Sequence, residues 1–386
     1  MKLLKGNALF NGGGHFPDEQ HTLLLKAALK EKGEALDAFN AWLDTMQLNT
    51  LLAHSPAFLT GFMDRVDMGC QRLMPLVIEN IGEDAHPYFK PLRGYIKNSW
   101  VRNQRIILTT AQLAKELQEV GIPTITFKGI RLVTKYYPNV ASRPMFDGDL
   151  LIPFEYKERF LELLNTGQLN LKLRNADDLM TEFCHAVHLI YQESVDIDLH
   201  WGVFSEYGLQ RKVSDFILSK ATNTNLKGGQ TQDLDPTHEF FISLVHGRGF
   251  DPVPPIRWVA DCTLILRKEN IDWREFERLN EQFSYKPFVK RALPYLKEHF
   301  CPQIPNEVMH TIEQASVTIF EEKYYNSISM NIRNKGLVSL LFYGTKRRGI
   351  YYKMFLSDAY PTVWHYLFRW YTQRFRQEFD KRKRIL

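Results

Sequence analysis

Residues 143–152 read Arg-Pro-Met-Phe-Asp-Gly-Asp-Leu-Leu-Ile, with two carboxylates at the mouth of an apolar run. Residues 149–152 read as a strand, and on a strand residues two apart face the same way. Asp147 and Asp149 therefore stand side by side, where their charges repel and burial raises the cost. A solvated turn, an arginine or a bound cation would offset that repulsion.

Working outward, residues 123–127 form a short β-type run, Lys128-Gly129 breaks it, and 130–137 reads as a helix ended by Pro138. A strand that hands over to a helix through a glycine turns backbone N–H groups toward phosphate oxygens. Gly129 lets such an anion come close and Lys128 adds a point charge. Arg143 is placed to neutralise phosphate or to orient the carboxylates. Downstream, 156–164 reads as a helix with Gly167 after it, and 171–173 as a further strand. Residues 188–192 and 195–201 read as an antiparallel pair with Glu193-Ser194 at the turn.

In Val195-Asp-Ile-Asp-Leu-His-Trp201 the apolar residues alternate with Asp196, Asp198 and His200. One face packs on a core and the other presents acids. If this strand and 149–152 share a sheet, three or four carboxylates converge, an arrangement that is destabilising unless it is paired. Magnesium answers it, being a hard cation held by carboxylates and substrate phosphates. Two such ions, about 4 Å apart, clamp the attacking and leaving oxygens of a displacement at phosphorus. Asp196 reads as solvated or supporting, and His200 and Trp201 as packing beside the site rather than ligating.

The flanks are helical. Periodic apolar residues run through 18–47 and, with breaks, to about 120, where Gly121 stops the last helix. The Asn-, Thr-, Gly- and Gln-rich stretch 222–237 reads as a loop, and the chain is helical again from His238, interrupted by Asp251-Pro-Val-Pro-Pro255. The expected fold is α+β or α/β. A small mixed-sheet core at 121–205 is flanked by helical regions at 1–120 and 206–345, and a basic aromatic tail follows at 346–386.

That tail carries 11 Lys or Arg against 3 Asp or Glu, a net +8 in a chain of net +5, so the rest is mildly acidic. From Trp364 through Phe375 and Phe379 the tail mixes aromatics with cations; Leu367, Trp370 and Tyr371 fit a packed C-terminal helix whose end frays into Lys381-Arg-Lys-Arg384. The same composition fits docking on an anionic membrane or a nucleic acid. No apolar run reaches the ~20 residues of a membrane span. Four dispersed cysteines and the lack of a signal-peptide core at the start point to a reducing cytoplasm, with peripheral contact at the inner membrane face through the tail. His185 and His188 lack matched acidic ligands for zinc, Cys184 and Cys262 read as core, His246 as a buried hydrogen-bonded imidazole, and Asp261 as a local partner of Arg257.

Phe127-Lys-Gly-Ile130, Tyr136-Tyr-Pro138, Arg143-Pro-Met, Asp147-x-Asp149-Leu-Leu and Asp198-Leu-His-Trp201 together resemble the uncharacterised bacterial nucleotidyltransferase family. That family is assigned to the superfamily of DNA polymerase beta and the antibiotic nucleotidyltransferases. Arg257-Trp-Val-Ala-Asp261 and Ile271-Asp-Trp273 are similar to its C-terminal pattern. The resemblance implies a nucleotidyltransferase core in which Asp147, Asp149 and Asp198 bind two Mg2+ (or Mn2+) ions and Asp198 activates the attacking hydroxyl. Lys128, Gly129 and Arg143 would meet the phosphates of a nucleoside triphosphate such as ATP. The acceptor is then a hydroxyl on a small molecule, a protein or an RNA. The alternative is an inactive member that docks through its tail.

Overall fold

The strands are β1 (Ile125–Thr126), β2 (Gly148–Leu151), β3 (Leu171–Leu173), β4 (Ala186–Tyr191), β5 (Val195–His200), β6 (Thr222–Leu226) and β7 (Gly229–Asp233). They pair in the order β3-β4-β5-β2-β1-β7-β6. β2 runs parallel to β5 and β1 parallel to β7, and the other pairings are antiparallel, so the sheet is mixed. This computed structural model describes residues 16–48, 66–174, 183–192, 195–207, 211–330, 345–357 and 359–373.

The chain groups into two units. The first takes Met1–Val101, Tyr136–Pro144 and Ser243–Tyr343; the second takes Arg102–Lys135, Met145–Ile242 and Gly344–Leu386 and contains the sheet. The fold class is the expected one, a mixed α/β chain with a small sheet and helical flanks.

The first unit is helical. Its helices α1 (Glu19–Leu29) and α2 (Lys32–Thr45) break at Lys30-Glu31 within the expected 18–47 span, and α3 (Met68–Ile81) follows. Asp18 caps α1 and Asp67 caps α3, each carboxylate accepting a backbone N–H in the first turn. Asn80 on α3 donates to the carbonyls of Ala27 and Lys30, which ties α3 to the end of α1. α7 (Arg257–Lys268) and α8 (Lys286–His299) bring Trp258, Phe288 and Tyr295 around the Phe16 ring, with centroids 5.2–6.2 Å away.

In the second unit a long helix, α4 (Arg93–Glu119, of which this unit holds the part from Arg102), lies against the sheet. Two glycines permit the approach. A Cβ on Gly148 would meet the Thr110 hydroxyl at 2.3 Å, and one on Gly229 would meet the Ala111 carbonyl at 2.7 Å. α5 (Lys128–Lys135) follows β1, and α6 (Lys157–Asn165) follows β2 and a 3-10 turn.

Four expectations are corrected. Residues 222–237 are not a loop throughout: β6 and β7 form a hairpin turned by Lys227 and Gly228, both at positive φ. Its strands are polar alternations, Thr-Asn-Thr-Asn against Gln-Thr-Gln-Asp, which composition cannot tell from a loop. His246 is exposed rather than buried, and Cys184 is half-buried rather than core. In the tail Tyr366 and Leu367 are buried, while Tyr371 is exposed. The tail packs on its own unit through Phe183, stacked on Tyr360 and edge-on to Tyr366, and through Tyr351, whose hydroxyl donates to the carbonyls of Ser205 and Glu206. The expected turn at 193–194, and Phe375, Phe379 and Lys381–Arg384, lie outside the described residues. Among the described residues no helix is long and apolar enough to cross a membrane.

Candidate active site

β2 and β5 run side by side in parallel, and their register sets Asp149 directly against Asp198 and Leu151 against His200. Along β5 the residues Val195, Ile197 and Leu199 are buried while Asp196 and Asp198 are half-exposed, the alternation expected of a half-buried strand. His200 departs from it, being buried with the acids' face. A ligand atom from each of Asp149, Asp198 and His200 lies within 4.8 Å of the other two. Asp147, half-buried one residue before β2, is not a member of that group.

The end of β1 closes on the same place. Lys128 opens α5 with φ at +48°, a left-handed conformation that costs a non-glycine residue of order 1–3 kcal/mol. That turn aims Lys128 Nζ at Asp149 Oδ1, 3.5 Å away, and at His200 Nε2, 3.4 Å away. Gly129 N–H donates to Asp149 Oδ2 at 3.4 Å. The ammonium and helix-start N–H that sequence placed at phosphates thus lie on the first of the paired carboxylates.

Burial first, then the charge of Lys128, holds the His200 imidazole below its ordinary pKa, while Asp149 and Asp198 pull the other way. His200 is therefore neutral near pH 7, with Nε2 3.3 Å from Asp149 Oδ1. Its Nδ1 is buried and has no hydrogen-bond partner among the described residues, and its ring sits edge-on to Phe127. A metal-bound imidazole normally has its other nitrogen held by a carbonyl or carboxylate. The oxygens of Asp149 and Asp198 therefore fit a hard divalent cation better than this nitrogen does. His200 serves to wall the site and to place Lys128 and Asp149.

Sequence reasoning missed His188. Its Nδ1 lies 2.5 Å from Asp198 Oδ1, and its side chain is about half exposed. The signal was present: the 191–195 pairing of the hairpin continues to His188 opposite Asp198. Asp196, expected to be solvated or supporting, is half-exposed and paired with Arg174 at 2.6 Å.

Arg143 is committed elsewhere. In the first unit its Nε and Nη2 donate to the two oxygens of Asp261 at 2.9 and 3.0 Å, and the Tyr137 hydroxyl donates to Asp261 Oδ1 at 2.7 Å. All three are buried. Asp261 was expected to pair with Arg257; instead Arg257 donates to the Pro144 carbonyl, and the partner of Asp261 comes from 118 residues away.

No curated protein matches the sequence. The ordered acids, the strand-to-helix lysine and glycine and the mixed sheet agree with a family-level match across residues 70–301, well over half of the chain: this protein belongs to the uncharacterised nucleotidyltransferase family.

Proposed function

We propose that the protein is a divalent-metal-dependent nucleotidyltransferase. It moves a nucleoside monophosphate from a nucleoside triphosphate, such as ATP, to a hydroxyl acceptor and releases pyrophosphate. The observation that carries this reading is the cross-strand pair Asp149 and Asp198, with Lys128 and the Gly129 N–H beside it.

Asp149 and Asp198 would hold Mg2+ or Mn2+, with Asp147 adding a carboxylate from the chain just before β2; two ions fit the proposal. When bound, such ions neutralise the triphosphate and polarise the reacting phosphorus. Lys128 and Gly129 contact the phosphates from the β1–α5 junction, so an anion seated on the acids meets a cation and an N–H at once. Asp198 accepts the proton of the attacking hydroxyl. His188, bonded to that carboxylate and open to solvent, can pass the proton on. The proposal does not need Arg143 at the phosphates. Four free cysteines accord with a reducing cytoplasm.

The test is incubation of the full chain with Mg2+, labelled nucleoside triphosphates and cell extract. Label is expected in an acceptor with the wild type and lost with Asp149→Asn plus Asp198→Asn. Equal labelling by both proteins would overturn the reading.

One observation favours a second reading. Trp364 and Phe368 are 75% and 69% exposed, four residues apart on the helix at 363–373. They lie in the segment of net +8. An inactive member docking on an anionic membrane would use this face; nucleic acid is the other candidate. Binding to anionic vesicles that falls with salt and with Trp364→Ser, in a protein that transfers no label, would favour it.

A further inference from the structure

Away from the sheet, in the first unit, His21, Asp67 and Cys70 each offer a ligand atom within 4.8 Å of the other two. We propose that these three residues form a zinc site of their own. His21 Nε2, Asp67 Oδ2 and Cys70 Sγ are the ligands, and the fourth position is open to water.

The geometry carries it in three steps. His21 sits in the first turn of α1, and Asp67 and Cys70 sit at the cap and first turn of α3, so one ion would bridge two helix starts. His21 Nδ1 is 2.8 Å from Asp18 Oδ1, which leaves Nε2 directed at Asp67 Oδ2, 3.4 Å away. A carboxylate holding the far nitrogen is how metal-bound imidazoles are oriented. Asp67 divides its oxygens: Oδ1 accepts the Cys70 N–H and caps α3, and Oδ2 is the one facing His21. Between the two ligands, Gly69 has no room for a Cβ, which would lie 2.7 Å from the Pro254 carbonyl, so the turn bearing Asp67 and Cys70 is held against its neighbour.

An ion pair accounts for His21 with Asp18 and Asp67, and the buried Cys70 thiol hydrogen-bonds to the Asp67 carboxylate. Imidazole nitrogen, thiol sulfur and carboxylate oxygen meeting at one point are also the donor set that a borderline-soft ion takes together. Binding would release the protons of His21 Nε2 and Cys70 Sγ to solvent, leaving Zn2+ balanced by the Asp67 carboxylate and the Cys70 thiolate. The Asp67 side chain is 25% exposed, which gives the ion a way in.

The full chain, stripped with a chelator and dialysed, would be titrated with Zn2+ and separately with Co2+. One Cys70-dependent equivalent is expected, and the Co2+ form should show a thiolate-to-cobalt charge-transfer band. The acids at 149 and 198 have no cysteine, so an ion there gives no such band. Cys70→Ser and His21→Gln should abolish the band, whereas Asp149→Asn should keep it. In the wild type, Zn2+ should also slow alkylation of Cys70, read by peptide mapping against Cys184, Cys262 and Cys301. A Co2+ form without the band, or an alkylation rate at Cys70 indifferent to Zn2+, would overturn the proposal; the second readout stands even if the variants fail to fold.

Discussion

The molecule handles acids in two ways. In the first unit Asp261 is closed off: Arg143 grips both its oxygens, Tyr137 donates a third bond, and all three are buried. In the second unit Asp149 and Asp198 lie directly opposite on neighbouring strands, and Asp149 meets a lysine at 3.5 Å, an N–H at 3.4 Å and His200 Nε2 at 3.3 Å, all longer than the bonds Arg143 makes to Asp261. The planar fork of arginine satisfies a carboxylate fully and leaves nothing for a ligand. Two neighbouring acids, one beside Lys128 and His200 and the other bonded to His188, keep partners that a cation or a phosphate could exchange with. The first arrangement specifies packing, and the second is the one the proposed transfer would use.

Replacing one acid in each place separates these roles most sharply. Asp149→Asn should reduce nucleotidyl transfer at least about a thousandfold, about 4 kcal/mol in the transition state. Its melting temperature should hold or rise, because a like-charge contact is relieved. Arg143→Met should do the reverse, costing about 3–5 kcal/mol of stability by stranding a buried carboxylate. Denaturant titration beside a transfer assay checks both. If Asp149→Asn unfolds the protein as readily as Arg143→Met does, the contrast collapses.

Acid probes the same contrast. Burial pushes Asp261 up, but the charge and hydrogen bonds of Arg143, with Arg257 and Tyr137, hold its pKa below the usual carboxylate range. The unfolded chain returns it to about 3.9. The stability this pair contributes is therefore full above that value and lost as pH falls through the lower folded pKa. Acid titration of the wild type should show a destabilisation in that window that is much reduced in Asp261→Asn.

What the sequence revealed follows from where its information lies. Strand alternation placed Asp198 on the acidic face, and the hairpin register that sets His188 opposite it was there to be followed one pair at a time but was not followed. Both are local patterns. Arg143 and Asp261 meet across 118 residues, and no local rule links them, so the nearer Arg257 drew the assignment. The β6–β7 hairpin was hidden because its strands are polar on both faces. Nothing local in the sequence marks Gly148 as a position where α4 comes close to the sheet, which needs the packed structure to be seen. Gly148→Ala should therefore cost about 1–3 kcal/mol by overpacking against Thr110, Ile106 and Ile197. It should reduce transfer as well, because it displaces the residue next to Asp149. A Gly148→Ala protein of unchanged melting temperature would show that the helix can retreat freely.

The smallest expected effect tests Lys128, where strain and charge reside in one residue. Its φ of +48° is a conformation glycine adopts freely, so Lys128→Gly should stabilise the fold by about 1 kcal/mol. Lys128→Ala removes the same ammonium and keeps the strain, so it should gain nothing. The difference in melting temperature between the two variants therefore reports the strain alone. Their shared loss of transfer, chiefly a raised KM for the nucleoside triphosphate, reports the charge. A lysine that merely decorated the surface would leave KM untouched in both. A strained lysine at a junction that glycine would fit without strain, with its ammonium beside Asp149 and His200, is what the proposed phosphate contact calls for.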